Sequence, residues 1–247
     1  METSVFGPYN ADNIHPGFSI DCVILSFYKG KIKILLNKFS LKNYWSLPGG
    51  FMLNEEDADQ AAHRILESRT GLTDIFLKQF YLFSDPKRTI MKQNIDFVNK
   101  NASSDEEGTW LLRRFISLGY YALVKYERAK LPSVDKEKCK WYDIDELPAM
   151  YSDHENIIKT AFEMIRAMFP ILPIGYELLP EKFTMTELRK IYETILGKEF
   201  DRRNFQRKIL SQGTVIQLEE KMEGRTYNAP IMYSFNQENR GIMDNLL

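Results

Sequence analysis

Residues 50–72 constrain the fold of this 247-residue chain more than any other segment. A Pro-Gly-Gly sequence at residues 48–50 predicts a sharp break in the chain just before it. Apolar residues then recur at helical spacing from Ala58 to Leu66, and Gly71 supplies a natural helix end. The segment therefore predicts a loop that leads into a helix over about residues 58–70.

The segments around this helix are typical of strands. Residues 19–26 are rich in β-forming side chains, and a turn at 28–31 leads to partial alternation over 32–36. Further strands are predicted over 76–83 and 116–126, a short element at residues 141–142, and a helix over 153–168. The polar stretch between these later strands, near residues 88–112, is predicted as a long insertion.

Composition excludes several classes of protein. The chain has 33 Lys and Arg against 34 Asp and Glu, and its net charge of −1 excludes nucleic-acid binding through bulk positive charge. No apolar run approaches the ~20 residues of a membrane span, and the N-terminus lacks the features of a signal peptide. The two cysteines, Cys22 and Cys139, do not make a disulfide framework and fit a cytoplasmic location.

Residues 50–72 read GFMLNEEDADQAAHRILESRTGL and resemble the Nudix box. That box consists of Gly, five residues, Glu, seven residues, and then Arg-Glu-apolar-x-Glu-Glu-x-Gly-apolar. The positions that match are Gly50, Glu56, Arg64, Leu66, Gly71 and Leu72. The resemblance implies a Nudix-like domain, and it implies that Arg64 supports the loop and helix through an ion pair.

The positions at which this chain departs from the Nudix box are those that bind metal ions in Nudix hydrolases. In Nudix hydrolases, three glutamates on one helical face hold divalent metal ions against a diphosphate. Their positions are occupied here by Ile65, Ser68 and Arg69, of which one is apolar, one neutral and one cationic. Glu56 alone is a poor metal site. The sequence therefore predicts a protein that is not an enzyme, with no catalytic residue, no metal and no cofactor.

A cleft of the Nudix type can hold an effector in place of a substrate, because fold and site chemistry are separable. Tyr44 and Trp45 are candidates for stacking on such a ligand, although Trp45 fits the core at least equally well. Loss of the metal centre favours a neutral sugar, such as a pentose, over a diphosphate. ADP-ribose comes next, since Arg69 is a candidate to neutralise its charge.

Three prolines, at positions 170, 173 and 180, interrupt the chain after the last predicted helix of this region. They predict one domain over residues 1–170 and a second over 171–247. Beyond the boundary, Thr184 and Glu187 form a capping-box sequence for a helix that ends near Gly197, and Asp201 is suited to cap a second helix that Gly213 closes.

The second of these helices is basic. Residues 201–208 carry four basic residues and one acidic residue, a local charge of 4 − 1 = +3. Its apolar stripe is formed by Phe205, Ile209 and Leu210, and this division favours a recognition helix in the DNA major groove. There Arg reads guanine and Asn reads adenine. The candidate DNA-binding residues are Arg202, Arg203, Asn204, Arg207 and Lys208, with Lys221 and Arg225 in the following hairpin, which is predicted as a wing.

Together, the altered Nudix box and the C-terminal helices and hairpin resemble the Nudix-related transcriptional regulators. The resemblance implies a Nudix-like α/β/α sandwich followed by a winged helix-turn-helix domain, in a mixed α/β and α+β fold. It further implies a homodimer that binds double-stranded operator DNA, and a small-molecule effector that modulates this binding. The insertion near residues 88–112 and the tail after Phe235 fall outside the resemblance.

Two other functions remain open from the residues. One is a Nudix-type pyrophosphohydrolase that acts on ADP-ribose or a nucleotide sugar with non-standard metal ligands, for which Asp105, Glu106 and Glu107 are candidates. The other is an adaptor that binds a small molecule and contacts protein through its C-terminal helices. Salt dependence of binding to duplex DNA separates the adaptor from the regulator.

Overall fold

The computed structural model describes residues 14–38, 44–88, 95–96, 99, 114–126, 139–168, 178–221 and 229–236. Most of the predicted insertion at 88–112 and nearly all of the tail after Phe235 lie outside these residues. The acidic candidates Asp105, Glu106 and Glu107 also lie outside them. The fold is that of a Nudix domain followed by a winged helix domain, as the resemblance implied.

Among the residues that the structure describes, seven strands form the sheet of the N-terminal part. Their bounds are β1 (Ile14–Tyr28), β2 (Lys31–Lys38), β3 (Trp45–Ser46), β4 (Gly49–Leu53), β5 (Lys78–Phe83), β6 (Ile116–Lys125) and β7 (Cys139–Asp143). The order is β3-β2-β1-β6-β5, while β4 pairs with β1 and β7 pairs with β2. Each strand predicted from the sequence is present, and β1 is longer than its predicted core of residues 19–26.

The sequence predicts a break in the chain at residues 48–50, and this prediction is wrong for the two glycines. Gly49 and Gly50 belong to β4, where they pair with Asp21 and Ile20 of β1. Sheet pairing is made by the backbone, so it does not require a β-forming side chain at these positions. The glycine at position 49 also leaves room for the Asp21 carboxylate, which a Cβ there would overlap.

Helix α1 (Ala58–Thr70) packs its buried residues against the sheet. Ile65 is fully buried, and Leu66 is 1% exposed. The side chains of Cys22 and Cys139 are free thiols in the core, and burial raises the pKa of Cys22.

Helix α2 (His154–Met168) is amphipathic, with Ile157, Ala161 and Ile165 on its buried face. The helical spacing of these apolar residues is visible in the sequence. The predicted helix starts at residue 153, one residue before the observed start at His154. In the part of the chain that the structure describes, no helix is long and apolar enough to cross a membrane.

The C-terminal part contains helices α3 (Met185–Leu196) and α4 (Arg202–Ser211) and a three-stranded sheet. The capping box predicted at Thr184 and Glu187 is formed, and Gly197 ends α3 in the left-handed conformation. Asp201 caps α4, as predicted, but the helix stops at Ser211, two residues before Gly213. The sheet has the order β8-β10-β9, with β8 (Phe183–Thr184), β9 (Val215–Lys221) and β10 (Ile231–Phe235).

The chain divides into two compact units. The first unit draws on residues 1–25, 34–122 and 129–161, and the second on 26–33, 123–128 and 162–247. The second unit thus contains the end of β1, the start of β2, the end of β6 and the end of α2, together with the winged helix. The predicted domain boundary between residues 170 and 171 lies among residues 169–177, outside the described chain, and stays a prediction.

Candidate ligand site and nucleic-acid interface

Helix α1 is fixed at both of its ends. At its start, the Asp57 carboxylate accepts from the backbone N–H of Gln60 at 2.8 Å, and the Gln60 side chain accepts from the Asp57 N–H at 3.0 Å. At its end, Gly71 adopts a φ of 70°, and its N–H donates to Glu67 O. These caps satisfy backbone groups that a helix otherwise leaves unpaired, so the loop and helix hold one geometry.

Glu56 and Arg64 form the ion pair that joins the loop to the helix. Arg64 Nε donates to Glu56 Oε2 at 2.8 Å, and a second guanidinium nitrogen donates to Oε1. Arg64 also donates to Phe51 O at 2.8 Å, and Glu56 Oε1 accepts from Leu53 N at 2.7 Å. The hydrogen bond from Arg64 lowers the pKa of Glu56 more than its partial burial raises it. The supporting role predicted for Arg64 is therefore confirmed.

The three positions that carry glutamate in the Nudix box have different surroundings. Ile65 is fully buried. Ser68 is exposed, and its hydroxyl donates to Ile65 O of its own helix at 3.0 Å. Arg69 is exposed too, and its Nε donates to Gly49 O at 3.1 Å, which ties the end of α1 to β4.

These residues do not fit the divalent metal that the Nudix box holds. Mg²⁺ requires hard oxygen ligands, and a buried isoleucine, a helix-bonded hydroxyl and a guanidinium supply no carboxylate. Glu56 already accepts from Arg64 and Leu53. Within the described ranges, no group of three or more His, Cys, Asp or Glu is arranged to hold a metal ion.

The predicted stacking residues lie at the start of β3. Tyr44 and Trp45 are half-buried. The Trp45 ring packs edge-on against Tyr142, with centroids 4.9 Å apart. Its backbone accepts from Tyr151 N at 2.8 Å and donates to Ala149 O at 2.9 Å. These contacts give Trp45 a structural role, and the ligand role of both aromatics stays a prediction.

A buried network of charged and polar side chains lies next to these elements, and sequence reasoning missed it. Arg88 forms a bidentate pair with Asp153, at 2.8 and 2.9 Å. Ser117 donates to Asp21 Oδ2 at 2.5 Å, while Arg88 and His154 approach Asp21 at 3.9 and 3.8 Å. The sequence does contain one signal for this network, because Asp21 is a charged residue inside the apolar run of β1. A buried carboxylate requires hydrogen-bonding or charged partners, so its position predicts that such partners exist.

The same network reaches the backbone before β4. His154 Nδ1 accepts from Leu47 N at 2.8 Å, so its Nε2 carries the ring proton and faces Asp21. The His154 side chain therefore connects the start of α2 to the backbone that leads into the Nudix box. The sequence alone indicated only that the three histidines are far apart along the chain.

Helix α4 presents its basic residues to solvent. The predicted set is exposed throughout, namely Arg202, Arg203, Asn204, Arg207 and Lys208. The side chain of Asp201 accepts from Asn204 N at 2.9 Å and caps the helix. Arg207 donates to Asn204 Oδ1 at 2.9 Å along the same face. Since guanidinium groups and exposed backbone N–H groups bind phosphate, this face is suited to a nucleic-acid backbone and groove.

The opposite face of α4 fixes the helix in its domain. Phe205 is 5% exposed and packs against Tyr192 and Phe200, with ring centroids 5.1 and 5.5 Å away. Gln206 donates to the Tyr233 hydroxyl at 3.0 Å, which joins the helix to β10. The exposed basic face thus lies on a helix whose other side is held by core contacts.

The hairpin predicted as a wing is formed by β9 and β10. Lys221 is the last residue of β9, while Arg225 lies among residues 222–228, outside the described chain. The described part of β9 also exposes Glu219 and Glu220. Lys182 pairs with Glu220 at 2.6 Å, which offsets part of this negative charge.

Two models of known families match the chain. The model of the NUDIX domain matches residues 19–161, which is more than half of the chain. The model of the NrtR DNA-binding winged helix domain matches residues 175–235. The two matches follow one another along the sequence and cover both parts of the fold.

A relative and two solved structures are similar to this chain over most of its length. The ADPR responsive transcriptional repressor NtrR of Acinetobacter baylyi is 28% identical over 225 residues, which cover 87% of this chain and 81% of the relative. Shewanella oneidensis NrtR, complexed with a 27mer DNA, has a TM-score of 0.65 and 21% identity, covering 91% of this chain and 95% of that one. A MutT/nudix family protein from Enterococcus faecalis has a TM-score of 0.61 and 22% identity, covering 90% and 89%. At these identities the two structures show a likeness of fold alone.

Proposed function

We propose that this chain, which belongs to the Nudix-related transcriptional regulators, is a DNA-binding repressor whose Nudix domain responds to ADP-ribose. The observation that carries the proposal is the exposed basic face of α4, in a winged helix that follows a Nudix domain. Repression and the response to ADP-ribose are attributed by likeness to the Acinetobacter baylyi repressor.

DNA binding rests on local charge. The whole chain has a net charge of −1, so the attraction to phosphate comes from the exposed residues of α4. A helix of this kind reads base edges in the major groove, while a homodimer places two such helices on half-sites one turn apart. We therefore propose a homodimer that binds a two-fold symmetric operator.

The effector is proposed to bind without a divalent metal. At the positions where Nudix hydrolases carry carboxylates, this chain offers Ser68 and the cation Arg69 to solvent. A guanidinium neutralises a diphosphate directly, so ADP-ribose does not require Mg²⁺ here. The sequence favoured a neutral sugar over ADP-ribose, and that preference stays a prediction without further support. We place ADP-ribose first because of the relative's response to it.

Hydrolysis is proposed to be lost for the same reason. Ile65 is buried, Ser68 bonds its own helix and Arg69 bonds Gly49 O, so none of the three supplies an anionic ligand. The alternative, a pyrophosphohydrolase that uses Asp105, Glu106 or Glu107, rests on residues outside the described chain. It predicts that ADP-ribose and water yield AMP and ribose 5-phosphate when Mg²⁺ is present, whereas the repressor leaves ADP-ribose intact.

The central experiment measures binding to labelled duplexes that tile the intergenic DNA upstream of the gene, by fluorescence anisotropy. One duplex should bind with a Kd of about 10⁻⁸ to 10⁻¹¹ M at physiological salt, and affinity should fall steeply as salt rises. ADP-ribose should weaken this binding, and ribose or arabinose serves as the comparison for a sugar effector. If no duplex binds better than a random sequence at moderate salt, the proposal fails.

A further inference from the structure

The exposed residues of α4 fall into a central row and two flanks. A helix turns by about 100° per residue, so the buried Phe205 and Ile209 define the side that faces the domain. Arg207 lies about 180° from the middle of that side, while Arg203 and Asn204 lie about 140° and 120° from it in opposite directions. All three side chains are exposed. They therefore form the centre of the surface that α4 presents to a partner.

Arg202 and Lys208 form the flanks of this surface. They lie about 40° and 80° from the middle of the buried side, again in opposite directions, and both are exposed. Burial raises the pKa of Tyr233, and the charge of Arg202 opposes that rise, so the guanidinium lies near β10. A helix in the major groove has the bases in front of it and a phosphate backbone on either side. The two flanking cations thus occupy the positions that face the backbones.

Asn204 and Arg207 are joined by a hydrogen bond within the central row. A terminal guanidinium nitrogen of Arg207 donates to Asn204 Oδ1 at 2.9 Å. This contact orients the amide, with Oδ1 toward Arg207, and leaves Nδ2 as a donor. A carbonyl oxygen accepts two hydrogen bonds, so Oδ1 keeps one lone pair for a partner. The Asp201 carboxylate also holds the backbone N–H of Asn204, at 2.9 Å.

The remaining groups of this pair match two bases. An amide that offers one donor and one acceptor is complementary to N7 and N6 of adenine, and a guanidinium donates to O6 and N7 of guanine. Arg207 has further N–H donors besides the one that Asn204 accepts. Because the two side chains are in contact and stacked bases are about 3.4 Å apart, the pair reaches neighbouring base pairs. It is therefore complementary to an A·T pair beside a G·C pair.

We infer that Asn204 and Arg207 act as one unit that reads adjacent adenine and guanine bases of the operator, while Arg202 and Lys208 hold the flanking phosphates. The inference rests on the proposed function and specifies which residues of α4 determine the operator sequence. Base contacts give specificity, whereas phosphate contacts raise affinity for any sequence and make it depend on salt. Arg207 is thus a specificity-determining residue and Arg202 is not, although both are exposed arginines of one helix.

The test compares Arg207→Lys with Arg202→Lys, two substitutions that keep the charge and remove the planar fork of the guanidinium. The operator is selected from a pool of random duplexes, and its Kd and that of a scrambled duplex are measured by anisotropy without effector. Arg207→Lys should lower the ratio of the two affinities about 5- to 150-fold, because a bidentate contact to guanine is lost. Arg202→Lys should affect both duplexes alike and leave the ratio within about 2-fold, since an ammonium also binds phosphate.

Single base-pair changes in the operator identify what each residue contacts. Asn204→Ala should abolish the preference for A·T at one position, and Arg207→Lys the preference for G·C at the position beside it. Arg202→Gln and Lys208→Gln should weaken both duplexes equally, and each should reduce the slope of log K against log salt by about 1. Thermal unfolding should be unchanged in these variants because all four side chains are exposed.

The outcomes separate this inference from the proposed function. If the unaltered protein selects no sequence from the pool, the proposed function fails and the reading pair fails with it. If it selects a sequence that Arg207→Lys and Asn204→Ala still discriminate in full, specific DNA binding stands and the inference is overturned. Two further results overturn it, namely an equal loss of discrimination in Arg202→Lys, and sensitive positions for Asn204 and Arg207 that are not adjacent.

Discussion

Helices α1 and α4 begin alike and use their arginines in opposite ways. Each is capped by an aspartate, Asp57 in α1 and Asp201 in α4. In α1, Arg64 donates hydrogen bonds to Glu56 and to Phe51 O, so its positive charge is compensated by groups within the fold. In α4, Arg202 and Arg203 are exposed beyond a buried apolar stripe. The comparison teaches that an arginine signals a partner only where its neighbours leave the charge uncompensated and accessible.

The largest expected effect is on DNA, through the arginines of α4. The double substitution Arg203→Gln and Arg207→Gln should weaken operator binding by about 2–6 kcal/mol, since each arginine at a base or phosphate contributes about 1–3 kcal/mol. Anisotropy titration measures the loss, and thermal unfolding should be unchanged because both side chains are exposed. An unchanged operator Kd would show that these arginines of α4 do not contact DNA, and the proposed difference between α4 and α1 would then be wrong.

The arginine of α1 should affect stability instead. Arg64→Gln leaves the partly buried Glu56 carboxylate without its main partner, which should lower the free energy of unfolding by about 1–3 kcal/mol. Urea denaturation measures this change, with Glu67→Gln, exposed on the same helix, as the control. Operator affinity per folded molecule should stay the same. A weaker operator Kd in Arg64→Gln at full folding would show that α1 also serves the interface.

The two caps sharpen the comparison further. Asp57→Ala and Asp201→Ala should each lower stability by about 1 kcal/mol, because each removes an acceptor for a backbone N–H at a helix start. Only Asp201→Ala should also weaken operator binding, since it loosens the turn of α4 that carries Asn204. Equal effects of the two variants on operator Kd would contradict the assignment of α4 as the recognition helix.

The smallest expected effect is a dependence of stability on pH, which arises from the pairing of Glu56 with Arg64 of α1. The pKa of Glu56 is held below its usual 4.5 by Arg64, so ionised Glu56 stabilises the fold above that value. This contribution is lost as the pH falls through the lowered pKa of the folded state. The difference in Tm between the unaltered protein and Glu56→Gln should therefore be largest near pH 7 and shrink toward pH 3. A difference that grows in acid would mean that Arg64 does not hold the charge of Glu56.

Local signals in the sequence predicted the helices well. The cap at Thr184, the glycine ends at Gly71 and Gly197 and the cap at Asp201 are present in the structure. Each depends on residues within one or two turns of the helix, so the sequence contains all that is required. The exposed basic face of α4 could be predicted for the same reason, from the spacing of Phe205 and its apolar neighbours.

Contacts between distant segments could not be predicted in this way. Asp21, Arg88, Ser117 and His154 meet only after the sheet and α2 are packed, and nothing local marks them as partners. The hydrogen bond from Arg166 Nε to Ile195 O likewise joins residues 29 positions apart. The ligand site depends on the same kind of long-range placement, which is why Tyr44 and Trp45 stay predictions.

Gly49 has a consequence for how variants of this protein can be obtained. Its hydrogen occupies space beside Asp21 Oδ1 that no β-carbon can share, so the two positions restrict each other sterically. In a randomised library selected for folded protein, any larger residue at position 49 should be recovered only with a shorter side chain at position 21. The absence of a side chain at position 49, directly before the Nudix box, is therefore explained by the neighbouring Asp21 carboxylate and does not require a bound molecule.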